Sequence, residues 1–438
     1  MRTIKADVCR AIDAHKGEIL RIGQEILHTP ELGYREQRTS ALVKEQFLQW
    51  GLSDLAFPAV TGVKGWLRGK SHRASVAVMG ELDAVLSPEH PFADPHTGAA
   101  HACGHNAQIA GMLGCLFGLS AVIDRLDGDV CFMATPAEEY VELAYRDKLR
   151  SSGKIAYFGG KQQMIAEGAF DDIDMAMMVH AETNAPGCHI VTGGVSTGFI
   201  GKEVRFIGRE AHAGGAPWEG INALNAASLA LQAIHCLRET FRDEDHIRVH
   251  PILTKGGDLV NVVPADVRME SYVRAGNLGA MQAVNAKVNR AIRGAAYAIE
   301  AKTQITDFPG YLPLEQNPEL GRLFAANAAE LLPEAVVENG LPFCGSTDAG
   351  DLSFLLPLIQ PTVNGFTGAL HSKYLRAADQ ELAYIVPAKL MAMTVVDLLS
   401  GGAEAAGAIK SAFPRRSRQE YEALWKKLIE ADALQDMD

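Results

Sequence analysis

Ala74-Ser-Val-Ala-Val-Met79 is a nearly unbroken apolar run, the pattern of a strand covered on both faces rather than one half-exposed to water. Its neighbours fit one architecture. Upstream lie two segments with apolar residues at helical spacing, 5–27 and 38–50, then a short β-rich run, Gly65-Trp-Leu-Arg68. Downstream, an apolar helix over 107–123 leads to a second run, Asp129-Val-Cys-Phe-Met-Ala134, and a third follows at Ile173-Asp-Met-Ala-Met-Met-Val-His180. Strands alternating with helices predict an α/β domain, a mixed, mostly parallel central sheet flanked by helices.

Near residue 198 the pattern changes. A strand at 202–208, a helix at 221–237, strands at 246–253 and 267–274, a helix at 278–299 and a strand at 301–307 spell β-α-β-β-α-β, the order of a ferredoxin-like α+β domain. Helical sequence resumes over 317–332, strand-like residues return at Pro361-Thr-Val-Asn364, and a long helix covers 386–399. The expected organisation is a discontinuous main domain, 1–197 plus 310–438, interrupted by an inserted domain at 198–309.

The chain has 438 residues, ample for two cores. With 41 Lys and Arg against 53 Asp and Glu, its net charge of −12 disfavours nucleic acid or an anionic membrane as the main partner, since both demand a basic face. Seven cysteines, an odd number without repeated spacing, read as reduced thiols, and the N-terminal residues lack the order of a signal peptide. A cytoplasmic protein is expected. The apolar stretch 109–123 is broken by Gly111, Gly114 and Gly118 and reads as a buried helix, not a membrane span. Neither a dinucleotide-binding nor a P-loop glycine motif occurs, which disfavours a nucleotide enzyme.

The densest polar constellation is His101-Ala-Cys103-Gly-His105-Asn106, where Cys103 and His105 can offer a thiolate and an imidazole to one metal ion from a loop. Glu138 and Glu139 follow the run 129–134. Two adjacent carboxylates at a strand end are costly to hold close unless a cation or proton neutralises one, so one can bind metal while the other faces a water. His180 ends the third run, and His371 follows a glycine-rich stretch. Singly each has an ordinary structural reading: a chance Cys-x-His, a solvated strand end, a capped histidine. Together Cys103, His105, Glu139, His180 and His371 would make a two-metal site at strand ends and loops of the main domain.

The ordered motifs Glu81-Leu-Asp83-Ala, His-Ala-Cys-Gly-His-Asn, Pro-Ala-Glu-Glu, Val-His180, Ala-His212-Ala, Asn261-Val-Val-Pro and Leu-His371 resemble the amidohydrolase branch of the aminoacylase and carboxypeptidase G family of metallopeptidases. Within it the chain most resembles the p-aminobenzoyl-glutamate hydrolase type, with Ser346-Thr-Asp348-Ala-Gly-Asp351 as supporting detail. The resemblance implies a zinc-exopeptidase-like main domain and an inserted lid and dimerisation domain. It implies a divalent transition metal, Zn or Mn, one or two per subunit, on Cys103, His105, Glu139, His180 and His371. Glu138 would be the general base and Asp83 would support a site residue. His212, often supplied by a partner subunit in this family, would face the oxyanion, and Asn261 and Arg274 would hold a substrate carboxylate. A homo-oligomer, at least a dimer through the insert, follows by the same likeness.

The expected reaction is hydrolysis of a C–N bond, first of all the amide of an N-acyl or N-aroyl amino acid. The alternatives are displacement of an amine from the ring carbon of an electron-poor aminobenzoate, and a noncatalytic small-molecule binder. Two departures from the family pattern bear on this. Asn106 and Gln108 stand where many relatives have Asp-x-His, and the segment 140–161 is long and carries Arg146, Lys148, Arg150, Lys154 and Lys161. Beside the site, that segment would select a small anionic, aromatic substrate; otherwise it is a solvated loop.

Overall fold

The run at 74–79 becomes the strand Ser75–Glu81, buried at every position, inside a six-stranded sheet. This computed structural model describes residues 1–183, 185, 187–340 and 345–430. Across the sheet the strands are ordered Ser53–Ala56, Val63–Leu67, Asp129–Thr135, Ser75–Glu81, Met175–Met177 and Leu358–Ile359. The last four run parallel and the first two join antiparallel, the mixed, mostly parallel sheet expected.

The helix His105–Ser120 crosses this sheet with nearly every residue buried, which is why its sequence is apolar on all sides. At Gly118 an added Cβ would lie 2.6 Å from Ile12 and at Gly114 2.9 Å from Ile19 and Ala388, so these two glycines are points of close helix approach. The segment 5–27 is not one helix: Arg2–Ala14 and Lys16–Leu27 meet at His15, whose ring packs edge-on against Trp50 and Phe117. The bend lets each half lay its own apolar stripe on the core, Val8 and Ile12, then Ile19 and Ile22. The stretch Glu381–Leu399 is long and apolar enough to cross a membrane, yet 83% of its apolar window is buried, and it packs on the helices Arg2–Ala14, His105–Ser120 and Pro318–Leu331.

The third run divides. Met175–Met177 stays in the central sheet, and His180–Thr183 begins a second sheet with His189–Thr192, Val336–Asn339, Thr362–Thr367 and Arg376–Ala377. His180 therefore sits where the chain passes from one sheet to the next. The segment 140–161 is also not a loop. It contains the helix Leu143–Ser151 and enters the helix Gly160–Ala166.

All of this belongs to one compact unit, Met1–Gly194 with most of the chain from Glu315 to Arg418. A second unit comprises Val195–Leu314, a short stretch ending at Gly350, and the last helix from Gln419. Its sheet is antiparallel, ordered Arg248–Lys255, Asp266–Ala275, Gly198–Ile207 and Lys302–Tyr311, with the helices Ala223–Leu237 and Leu278–Tyr297 packed on it. That is the expected β-α-β-β-α-β order. Both helices start on asparagine caps, Asn222 accepting from Leu224 N and Asn225 N, Asn277 from Ala280 N.

Candidate metal centre

Ser75–Glu81 and Asp129–Thr135 run parallel with Glu81 opposite Thr135, so the residues leaving their C-terminal ends emerge side by side. One end delivers Glu81 and Asp83, the other Glu138 and Glu139. The helix His105–Ser120 begins beside them. Its N-cap, Gly104, has φ +85, and an added Cβ there would lie 2.8 Å from the Cβ of Ala181, so a glycine is required between Cys103 and His105.

The five residues singled out in the sequence converge in two overlapping triads. Donor atoms of Cys103, His105 and His180 lie within 4.8 Å of one another, and so do those of Cys103, Glu139 and His371, which makes Cys103 common to both. A third group, Glu81, His105 and Glu138, meets the same criterion and borders the first through His105. Cys103, His105, Glu138 and Glu139 are buried, His180 is half-buried and His371 is exposed.

Hydrogen bonds orient the imidazoles. His105 Nδ1 is 2.8 Å from the carbonyl oxygen of Asp83, and His180 Nδ1 is 3.0 Å from that of Ala181. A carbonyl only accepts, so each Nδ1 carries a proton and Nε2 is turned to the cluster. His180 Nε2 is 3.4 Å from Cys103 Sγ, and His371 Nε2 is 3.1 Å from Glu139 Oε1. Asp83 Oδ2 accepts from the backbone N–H of Glu139 at 2.8 Å. Asp83 thus contacts both the His105 ring and the Glu139 backbone.

The ionisation of the cluster suits a site for a cation. Burial and the Glu139 carboxylate push the Cys103 thiol well up, so it would lose its proton to a base or solvent only when a metal binds the sulfur. Burial opposes a charge on His105, yet Glu81, Cys103 and Asp83 hold its protonation well above the usual range. Burial lowers His180, and the adjacent Glu139 carboxylate raises His371. Buried without a hydrogen bond are Asp83 Oδ1, His105 Nε2 and Glu139 Oε1; His105 Nε2 lies 3.0 Å from Glu81 Oε2 but at poor hydrogen-bond geometry. A thiol, imidazoles and carboxylates with orphaned buried donors suit a divalent transition metal.

Sequence reading missed Glu81 and Lys161 as partners. Both are wholly buried, Lys161 Nζ lies 2.6 Å from Glu81 Oε1, and Gln108 Nε2 donates to Glu81 Oε2 at 2.8 Å. Burial alone would raise the Glu81 carboxyl, but Lys161, His105 and His180 hold it down at about 2. Arg146 is likewise wholly buried. Two of the five cations of 140–161 are therefore internal, which corrects the picture of that segment as a basic loop facing substrate. Asn106 also turns inward, its amide donating to Gly23 O and to the Tyr384 hydroxyl.

His212, Asn261 and Arg274 lie in the second unit. The His212 ring accepts at Nδ1 from Gly214 N and Gly215 N, at 3.2 and 2.9 Å, which places its proton on the exposed Nε2 as a hydrogen-bond donor. Asn261 is exposed, and its carbonyl accepts from Ala213 N beside His212. Arg274 lies over Phe199 and Tyr272 and donates to Ser346 Oγ at 2.6 Å.

The chain is 28% identical to a mouse Xaa-Arg dipeptidase over 428 residues, 91% of this chain and 90% of that protein. It is 31% identical to one of the subunits of the p-aminobenzoyl-glutamate hydrolase of Escherichia coli over 219 residues, 49% of this chain and 45% of that one. A Bacillus subtilis dinuclear metal-binding peptidase of the M20 family superposes with a TM-score of 0.70 at 21% identity, covering 88% of this chain and 99% of its own. Residues 77–384, which hold every residue discussed above as a candidate ligand, match the profile of peptidase family M20/M25/M40, and the chain belongs to that family.

Proposed function

We propose that this metal-dependent hydrolase of C–N bonds cleaves the amide of an N-acyl or N-aroyl amino acid, with Cys103, His105 and His180 holding one Zn or Mn ion and Cys103, Glu139 and His371 a second. The observation that carries the reading is the pair of donor triads sharing Cys103, with Glu138 beside them. When bound, such ions act as Lewis acids, polarising a carbonyl and lowering the pKa of a water. Glu138, close to His105 and following the same strand end as Glu139, takes the proton of the attacking water and returns it to the departing amine. Asp83 holds His105 and the Glu139 backbone in place. His212, by family likeness and with its proton on Nε2, donates to the oxyanion; Asn261 and Arg274 receive the substrate carboxylate, Arg274 with a guanidinium already tethered to Ser346.

Displacement of a ring amine from an aminobenzoate has less support, because Asn106 and the buried cations of 140–161 are engaged inside the fold. Metal-loaded protein is to be offered N-aroyl amino acids and amino-substituted benzoates, scoring amino acid and ammonia separately. Release of a free amino acid is expected. Ammonia without an amino acid product would transfer the assignment to the ring-amine reaction.

A further inference from the structure

The turn 136–139 carries both the proposed base and a proposed ligand, and its backbone is held by residues outside the proposed ligand set. Ala137, just before Glu138, has a left-handed φ of 52. Its N–H donates to Glu36 Oε1 at 2.8 Å, and the other oxygen of Glu36 accepts from the Thr61 hydroxyl at 2.6 Å. Thr61 follows Ala59 and Val60, both also left-handed at φ 54 and 70, an unfavourable conformation for a β-branched residue. From the other side comes Arg146. Its Nη1 donates to Phe158 O at 2.7 Å and Ala137 O at 3.3 Å, and its Nη2 donates to Glu139 O. The guanidinium thus grips the carbonyls on either side of Glu138. It fits because residue 33 is glycine; an added Cβ there would collide with Nη2. Non-glycine residues in strained conformations concentrate where the surrounding structure enforces them, often at functional sites.

We propose that Glu36 and Arg146 are positioning residues that fix the backbone of 137–139 before metal binds, and so set where Glu138 and Glu139 point. This rests on the assignment of those two glutamates above, but its consequences can be read without any substrate. It also makes the 140–161 segment a clamp inserted behind the acid turn, in place of a surface that selects the substrate.

The test begins with hydrogen exchange on the full metal-free wild-type chain. The amides of Ala137 and Glu139 should be protected as well as those of the strand Asp129–Thr135, and added Zn or Mn should change their rates little. If they exchange like a surface loop and become protected only with metal, the ion orders the turn and the proposal is overturned. Arg146→Lys supplies a compact ammonium that cannot span three carbonyls. It should deprotect those amides, weaken metal by about tenfold or more in chelator competition, alter the absorption of the Co(II)-substituted protein, and lower kcat with little change in KM. Glu36→Gln, which keeps an acceptor for the Ala137 N–H, should retain metal affinity. A folded Arg146→Lys with wild-type protection, affinity and cobalt spectrum overturns the proposal. If that variant does not fold, exchange on the wild type decides. A chain that hydrolyses no N-acyl amino acid would refute the substrate assignment while leaving the exchange and metal readouts intact.

Discussion

At the scale of single residues, Glu138 bears the heaviest chemical load without being one of the five proposed ligands. Glu138→Gln removes a proton acceptor of similar shape, so the variant should fold, keep its metal stoichiometry and lose about 10²–10⁴ in kcat. Full turnover in that variant refutes the mechanism. Replacing His180 or His371 by Ala should instead reduce bound metal by elemental analysis, and unchanged stoichiometry removes that residue from the ligand set. Glu36 makes a prediction of another kind. Burial and the nearby Asp83 carboxylate push it up from 4.5 to about 7. The folded chain therefore keeps a proton that the unfolded chain releases. That contribution to stability is fully present below about pH 4.5 and is lost as pH rises through about 7, a change of about 3 kcal/mol at most. The melting temperature of metal-free wild type should fall over this interval relative to that of Glu36→Gln. Parallel curves for the two proteins contradict the assignment.

At the scale of elements, what was legible in the sequence depended on whether its cause was local. The covered strands were readable because a strand buried on both faces is apolar at every position, and the insert because its alternation of strand and helix differs from what precedes it. The candidate ligands stood out because uncommon residue types cluster at strand ends, turns and a helix start. The break at His15 was not, since it is decided by packing against Trp50 and Phe117, far along the chain. Arg146 and Lys161 were misread for the same reason: the partners of Arg146 are main-chain carbonyls, and that of Lys161 is a carboxylate 80 residues away. Glu81 was named only as part of a motif, because its partners Lys161, Gln108 and His105 come from two helices far along the chain, which no single stretch of sequence states. Gly104 joins both kinds of information. The sequence places it between two candidate ligands, and the fold shows why it is glycine: a positive φ and the Ala181 contact. Gly104→Ala should cost about 1–3 kcal/mol in thermal or denaturant unfolding and also weaken metal binding, because the strain falls between Cys103 and His105. A variant that loses neither would show that the turn relaxes without moving its ligands.

At the scale of the whole molecule, the second unit ends in a strand, Arg248–Lys255, with no neighbour on its outer side among the described residues. Monomeric proteins blunt such edges with charge, yet this one presents Ile252 at 61% and Leu253 at 39% exposure. The same unit exposes Leu259, Val260 and Trp218. Although Pro251 and the Arg238 bond to Val249 O interrupt this edge, its aliphatic side chains can be self-complementary about a two-fold axis, so we expect a dimer in which two such edges meet. Sedimentation of the wild-type chain should give twice the monomer mass. Ile252→Lys combined with Leu253→Lys should give folded monomers whose melting temperature no longer depends on protein concentration, since both side chains are exposed in the single chain. Charge supplies a second discriminator. Each copy carries −12, so two copies repel at long range, while apolar contact and strand pairing are insensitive to screening. The dimer should therefore tighten as salt rises from about 50 to 500 mM, where the Debye length shrinks several-fold. A dimer that dissociates with salt is held by ion pairs on another face, and a wild-type monomer at both salts removes the edge from consideration.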